Sequence, residues 1–241
     1  MGVSLIFDPP LRRGTLLRRY KRFLADIQLP DGTTTTIHCP NTGAMTGCSD
    51  PGLEVWFSTS DRPGRVYPHT LEVVCTREGL VGVNTSRANT LVAERLAVQG
   101  WPGLDGYDRV RSEVTPGKHS GARTRFDFCL EGSSGLCWIE VKSLTLLLAD
   151  GRGAFPDAVS ERAHRHLASL CDRVRAGDRA VLFFCVQHTA VRYATPADEV
   201  DRDYGRSLRA AADLGVEILA GACRITSTAI SLESPLPVRL D

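Results

Sequence analysis

The first eighty residues alternate between short apolar runs and turn residues. The apolar runs are GTLLRRYKRFLADIQLP, TTTTIHCP, LEVWFSTS and HTLEVVCTREGLVGVN, and they are separated by PDGT, PNTGAMTG, SDPG and DRPGR. Short runs rich in β-branched and aromatic residues, bounded by Gly- and Pro-containing turns, are typical of β-strands. Five such strands in this length predict a small β-barrel of the OB type over residues 1–83.

The pattern changes after Asn84, where longer segments with helical spacing enter. SRANTLVAERLAVQG predicts a helix that Gly100 ends. A second helix is predicted between Pro156 and Gly177, because apolar residues recur there every three or four positions. A third helix is predicted over 198–214. These helices are interleaved with strand candidates at 107–114, 124–131, 136–146, 179–188 and 215–225.

The order of these elements is α-β-β-β-α-β-α-β, a meander followed by crossover helices. That order predicts an α/β domain with a mixed sheet over residues 84–241, which makes the chain a two-domain protein of mixed α and β structure. The last residues, SLESPLPVRLD, are expected to form a loose or packing tail.

Composition narrows the class of protein. The chain has 241 residues, is 42% apolar and carries a formal net charge of +1, so a nucleic-acid partner would have to be met by a local basic patch. The beginning of the chain lacks the cationic and apolar regions of a signal peptide, and no segment is apolar enough to span a membrane. The eight cysteines have no C-x-x-C spacing, which favours buried thiols in a cytoplasmic protein.

The strand candidate LCWIEVKSLTL carries two charges, Glu140 and Lys142, within an apolar run. It follows the turn EGSSG. A turn centred between Ser133 and Ser134 places Asp127 opposite Glu140 and Arg125 opposite Lys142. Side chains alternate along a strand, so one face is expected to hold Asp127, Glu140 and Lys142, and the other Phe126, Phe128, Ile139 and Val141.

Two carboxylates about 5 Å apart at their Cβ atoms repel each other unless a cation lies between them. Carboxylate oxygens completed by water are the ligands that Mg²⁺ prefers, so the pair predicts a site for Mg²⁺ or Mn²⁺. Lys142 would act there as an electrostatic clamp, because neighbouring carboxylates stabilise the charged ammonium. The alternative is a solvated charge ladder on the wet face of a hairpin.

Two further segments are candidates for nucleic-acid contacts. The stretch LLRRYKRFL surrounds an aromatic ring with cations, a pattern that fits single-stranded or flexible DNA but also a soluble edge strand. Its candidate residues are Arg18, Arg19, Tyr20, Lys21 and Arg22. The loop HCPNTGAMTGCSDPG offers Asn41 and Thr42 to a phosphate, although Gly43 and Gly47 are explained equally well by a tight turn.

Two histidines lie on the second predicted helix, His164 and His166. Two positions apart on a helix, they point about 200° from each other and do not form one metal site. The pattern favours a surface or capping role for His166, and an accessory position facing the carboxylates is the alternative.

The D-x(12)-E-V-K pattern in this order of elements resembles the PD-(D/E)xK nuclease superfamily. The sequence is also similar to the sugar fermentation stimulation protein family over nearly its whole length, through HCPNTGAMTGC, VNTSRAN, IEVKSLTL and FPDAVSERAHRHL. The resemblance implies DNA binding by an OB-like N-terminal domain and a nuclease-like C-terminal domain. It implies Asp127 and Glu140 as metal carboxylates, Lys142 as the completing residue and Glu113 as a third carboxylate.

The chain departs from that family in two places. The connection 115–125 differs from the shorter one that is expected, and His164 and Arg165 stand where Gln and Lys, respectively, are more usual. Two functions therefore stay open, and they share DNA as the partner and need no organic cofactor. One is a metal-dependent phosphodiesterase acting on DNA. The other is a non-catalytic DNA-binding regulator with a vestigial site. Direct handling of sugars by paired carboxylates fits poorly, and the oligomeric state is left open.

Overall fold

The computed structural model describes residues 4–116 and 124–241. Lys118 and most of the divergent connection 115–125 therefore lie outside the described residues. The first strand, β1 (Leu5–Ile6), does not belong to the barrel. It pairs with a strand at the far end of the chain, Leu5 opposite Ile230 and Ile6 opposite Ala229. The barrel begins with the next strand, at Arg12.

The predicted OB-type barrel is confirmed. Its strands are β2 (Arg12–Tyr20), β3 (Leu24–Gln28), β4 (Thr34–His38), β5 (Glu54–Thr59) and β6 (His69–Cys75). They pair in the order β4-β3-β2-β5-β6, and a parallel bridge from His38 to Thr70 joins β4 to β6 and closes the barrel. A short strand, β7 (Leu80–Gly82), adds to β6. The interior is filled by apolar side chains including Leu16, Ile27, Ile37, Phe57 and Leu71.

The long first run divides into two strands, β2 and β3, at Lys21 and Arg22. Both residues have positive φ, 50° and 64°. Positive φ at two successive residues is the geometry of the tight turns that match the twist of a hairpin. The turn therefore presents Lys21, Arg22 and Phe23 at its tip, all three exposed.

The C-terminal domain has the predicted mixed α/β architecture. Its helices are α1 (Arg87–Val98), α2 (Glu161–Arg175) and α3 (Arg202–Leu214). Its strands, in chain order, are β8 (Arg109–Val114), β9 (Phe126–Gly132), β10 (Gly135–Leu144), β11 (Leu146–Leu147), β12 (Arg152–Phe155), β13 (Arg179–Val186), β14 (Tyr193–Pro196), β15 (Glu217–Ile225) and β16 (Ala229–Pro235).

The large sheet has the order β1-β16-β15-β13-β10-β9-β8, in which β10, β13 and β15 are parallel. The strands β11, β12 and β14 form a separate small sheet. Of the expected loose or packing tail, residues 231–235 are not loose, because they belong to β16. The turn before β16 is closed by Thr226, whose hydroxyl oxygen accepts the backbone N–H of Ala229 at 2.9 Å, so the chain folds back onto β15.

Apolar clusters cover both faces of the large sheet. One contains Ala88, Leu91 and Val92 of α1, and the other contains Ala163, Leu167 and Leu170 of α2. The α1 cluster also includes Trp56 and Val73 of the barrel, so the two domains share a core. Six of the cysteines are buried, as expected. Within residues 4–116 and 124–241, no helix is long and apolar enough to cross a membrane.

Candidate active site

The predicted register of the β9–β10 hairpin is confirmed. Gly135 lies opposite Gly132, and the pairing continues to Ile139 opposite Phe128. The recorded pairing stops there, one position before Asp127 and Glu140. Asp127 lies at this end of the ladder, where its Oδ2 accepts the backbone N–H of Val141 at 2.7 Å. A side-chain carboxylate thus takes the place of a strand carbonyl and satisfies a backbone donor.

The predicted division of the two faces holds in part. Phe128, Ile139 and Val141 share the cluster under α1. Phe126 was expected on that face, which is wrong: it packs against Trp138 in the other cluster, with ring centroids 5.3 Å apart. Alternation requires a continuous regular strand, and it is lost where β9 leaves the ladder at Asp127.

Asp127 and Glu140 are held from opposite helices. The Asn89 side chain of α1 donates to Asp127 Oδ1 at 2.7 Å. The His166 side chain of α2 contacts Glu140 Oε1 through its Nδ1 atom. Lys142 Nζ donates to the same Oε1 at 2.7 Å. Glu140 is 2% exposed, and its Oε2 atom is buried without a hydrogen-bond partner among the described residues.

The electrostatics of the two carboxyl groups differ. Burial, reinforced by the charge of Glu140, raises the pKa of Asp127 above its ordinary value. Burial also acts to raise the pKa of Glu140, but the bond to His166 and the charge of Lys142 outweigh it, and the net pKa is lowered. Glu140 is therefore an anion whose charge its neighbours neutralise. The ionisation of Asp127, in contrast, costs free energy.

The third predicted carboxylate, Glu113, is positioned differently. Its Oε2 pairs with Arg125 Nε at 2.6 Å, and its side chain is 50% exposed. Within the described residues, no group of three or more His, Cys, Asp and Glu side chains is close enough to hold a metal. A cation at Asp127 and Glu140 would therefore need water or substrate oxygens for its remaining ligands, which is how Mg²⁺ is commonly bound.

A cleft of about 630 Å³ lies beside this site, between the barrel and the C-terminal domain. Its lining includes Val141, Lys142 and Ser143 of β10 and Asn89 of α1. Cations line it from both domains, and Asp157 is the acidic residue in its wall. These cations are Arg19, Arg22, Lys142 and Arg162. The charge of the cleft suits a polyanion better than a neutral ligand.

The predicted nucleic-acid residues divide into two groups. Arg18 and Tyr20 both bond Asp26, at 2.7 and 3.1 Å. Arg19 donates to the carbonyls of Asn41 and Gly43, at 2.8 and 2.9 Å, and so holds the loop that follows β4. One group lines the cleft and consists of Arg19, Arg22, Asn41 and Thr42. The other group lies outside the cleft lining and consists of Arg18, Tyr20 and Lys21, of which Lys21 is exposed at the turn.

The two histidines of α2 point apart, as the helical spacing predicts. His164 contacts Asp201 at 3.1 Å and packs edge-on against Tyr204. His166 contacts Glu140 and Lys142. The structure therefore places His166 beside the carboxylates, and not at the surface or helix cap that the sequence favoured for it.

Sequence reasoning missed two site residues, Asn89 and Asp157. Asn89 orients Asp127 and lies in the run VNTSRAN, while Asp157 accepts the backbone N–H of Ala44 at 3.0 Å and lies in FPDAV. Both runs carried the family resemblance, which was the available signal. Neither residue belongs to the hairpin from which the site was predicted.

The comparisons with known proteins agree with this fold. Residues 17–83 match the family model described as the SfsA N-terminal OB domain, and residues 86–229 match the model described as the sugar fermentation stimulation protein RE domain. A relative from Shewanella loihica, a sugar fermentation stimulation protein homolog, is 49% identical over 98% of this chain and 100% of its own length.

A solved structure has the same fold. It is SfsA from Pyrococcus furiosus in complex with Ca²⁺, which aligns over 99% of both chains with a TM-score of 0.86 and 24% identity. The family models together cover most of the sequence, and the Shewanella relative covers it almost completely. The chain belongs to the sugar fermentation stimulation protein family.

Proposed function

We propose that this protein binds DNA and hydrolyses its phosphodiester bonds with Mg²⁺ or Mn²⁺ held by Asp127 and Glu140. The observation that carries the proposal is the convergence of Asp127, Glu140 and Lys142 beside a cationic cleft. Lys142 lines that cleft and lies 2.7 Å from Glu140. The conjunction of two buried carboxyl groups, an ammonium and a path for a polyanion is what phosphodiester hydrolysis requires.

The donor set fits a hard divalent cation. Glu140 Oε2 is buried and has no partner among the described residues, so it is free to accept a cation. Each oxygen of Asp127 has a lone pair beyond the hydrogen bond it already accepts. The solved structure of the Pyrococcus furiosus relative is a complex with Ca²⁺, a cation with the same preference for oxygen. A bound divalent cation would supply an activated water and charge screening at the scissile phosphate.

The residues of this chain would have the following roles. Lys142 stabilises the negative charge that grows on the phosphate oxygens, because its ammonium is fixed at the wall of the cleft. Asn89 and His166 orient the two carboxyl groups. Arg22 and Arg162, which line opposite sides of the cleft, neutralise backbone phosphates.

One observation favours a second function, a DNA-binding protein without catalysis. Glu140 Oε1 already contacts both Lys142 and His166, an arrangement that balances its charge without a metal. In that case the cleft would hold DNA through its cations, and the carboxylates would serve the fold alone.

Glu140→Gln separates the two functions, with Glu131→Gln as the matched control. Glu131 lies on the same hairpin and pairs with Arg111 instead of lining the cleft. Mn²⁺ binding measured by calorimetry and Mn²⁺-dependent nicking of circular DNA, supplied both as plasmid and as a single strand, should both be lost in Glu140→Gln. The nicking rate should fall by about 100-fold or more, since a metal contributes several kcal/mol to charge stabilisation.

The control should bind Mn²⁺ and nick DNA as the wild type does. DNA binding that is sensitive to salt but unchanged in Glu140→Gln, with no nicking by the wild type, would favour the non-catalytic function. Failure of the wild type to bind any DNA would contradict both functions.

A further inference from the structure

The tip of the β2–β3 turn carries an aromatic ring that no predicted role has used. Phe23 is 48% exposed, although large apolar side chains are usually covered. Its neighbour Arg22 lines the cleft. The backbone carbonyl of Phe23 accepts the N–H of Cys39 at 2.7 Å. Cys39 precedes Pro40 and Asn41, the start of the loop that lines the cleft. The backbone of Phe23 therefore lies next to residues that line the cleft on the barrel side, although Phe23 is not itself one of the lining residues.

The aromatic residue expected to stack on a base, Tyr20, is already engaged. The guanidinium of Arg18 lies 4.8 Å from the centre of its ring, and its hydroxyl donates to Asp26 at 3.1 Å. Both its face and its polar end are thus used within the barrel. In the part of the chain that the structure describes, no arginine lies over the Phe23 ring as Arg18 lies over Tyr20, so Phe23 is the better platform for a base.

The opposite wall of the cleft also exposes apolar surface. Val159 lines the cleft from the C-terminal domain and is 72% exposed. Arg22 precedes Phe23 directly, Arg162 follows Val159 by three positions, and both arginines line the cleft. Apolar side chains alternating with cations match a strand whose phosphates and bare base faces are both accessible.

The size of the cleft limits what it can hold. Its volume of about 630 Å³ falls within the range of pockets for small molecules, about 300–1,000 Å³. Such a volume has room for one or two nucleotides at a time. In a duplex, moreover, the base faces are stacked on each other and cannot reach an aromatic side chain.

From these observations we infer that the substrate is unpaired DNA, a single strand or an unpaired end, and that Phe23 stacks on one of its bases at the entrance to the cleft. The inference rests on the proposed function and names its substrate class. An unpaired strand crosses the turn at Phe23, passes the cations of the cleft and brings one phosphate to Lys142.

The test is the affinity of the full chain for a fluorescent oligonucleotide of about 12 nucleotides, a length within the site sizes of OB domains. The same oligonucleotide annealed to its complement is the second ligand. Both are titrated in EDTA, which prevents cleavage, and again with Ca²⁺. The variants are Phe23→Ala, Phe23→Tyr, which keeps an aromatic ring, and Val98→Ala, an exposed apolar residue at the end of α1 that is not among the residues lining the cleft.

The single strand should bind more tightly than the duplex. Phe23→Ala should weaken single-strand binding by about 5- to 150-fold, the loss expected for one base–aromatic stack. Phe23→Tyr and Val98→Ala should bind as the wild type does. Tighter binding of the duplex, or single-strand binding by Phe23→Ala within about twofold of wild type, would overturn the inference.

The proposed function can fail separately. If plasmid nicking persists while Phe23→Ala has no effect on single-strand binding, only the substrate class is wrong. If neither DNA form binds and no nicking occurs, the proposed function is wrong, and the inference fails with it.

Discussion

At the scale of single residues, Gly43 shows how closely the barrel and the C-terminal domain approach each other. A Cβ atom at this position would lie 2.2 Å from Asp157 Oδ2 and 3.0 Å from Asn41 Oδ1. The neighbouring Ala44 N–H donates to the same Asp157 carboxylate. The glycine is thus needed for space, so that the loop of the barrel can reach the acid of the other domain.

We therefore expect Gly43→Ala to lower the free energy of unfolding by about 1–3 kcal/mol, the usual cost of overpacking. Denaturant unfolding measures this loss. In the double variant Gly43→Ala/Asp157→Ala the overlap with the carboxylate is absent, so the combined loss should be smaller than the sum of the two single losses. Additive losses would show that the two residues do not interact.

The residues of the site were predictable where they depended on local geometry. The turn centred between Ser133 and Ser134 fixed the register that brings Asp127 toward Glu140. The face of Phe126 was not predictable, because no sequence signal shows that β9 leaves the ladder at Asp127. Asn89 was beyond local reasoning for another reason: its contact with Asp127 joins residues 38 positions apart on separate elements.

At the scale of elements, the junction between β7 and the end of β13 links the two domains. Gly82 N–H donates to the Gln187 carbonyl at 2.7 Å, and Val81 forms a bridge with His188. His188 is 5% exposed, and its Nδ1 accepts the N–H of Ala190 at 3.2 Å. Burial lowers the pKa of His188 below its ordinary value of 6.5.

This lowered pKa predicts a loss of stability in acid. The unfolded chain binds a proton at His188 below about pH 6.5, whereas the folded chain resists it, so the stability present above that pH falls as the pH drops toward the folded pKa. In His188→Asn the amide oxygen can accept the Ala190 N–H without titrating.

Thermal unfolding of both proteins between neutral pH and pH 5 tests this expectation. The difference in melting temperature between wild type and His188→Asn should shift in favour of the variant as the pH falls. The single variant His69→Asn is a useful comparison, because burial also lowers the pKa of His69. Parallel curves for wild type and His188→Asn would contradict the role of His188.

The elements themselves were largely predictable, and the exceptions have physical causes. Strong helical spacing located α2, although it begins at Glu161, where the Ser160 hydroxyl accepts the Ala163 N–H, and not near Pro156. The strand β16 was missed because its end, ESP, is polar and exposed, and its pairing with β1 connects opposite ends of the chain. Strands as short as β11 carry no periodicity at all.

At the scale of the whole molecule, the two domains share a hydrophobic core in spite of their separate folds. Trp56 and Val73 of the barrel are buried in the same cluster as Phe183 of the central strand of the C-terminal sheet. Asp157 and the β7 junction add hydrogen bonds across the boundary. The cleft that Lys142 lines has walls from both domains, so the cleft exists only while the domains stay together.

Because the core is shared, we expect the domains to unfold together. Ile37 is fully buried inside the barrel, far in sequence from the C-terminal sheet, and Ile37→Val should cost about 0.5–1.5 kcal/mol. Native-state hydrogen exchange should show that loss equally in the slowest amides of β3 and of β13, since both exchange through the same global opening. A loss confined to β3 would mean that the barrel opens alone. In that case the walls of the cleft would separate without unfolding of the C-terminal domain, and an unpaired strand could enter by domain opening as well as across the turn at Phe23.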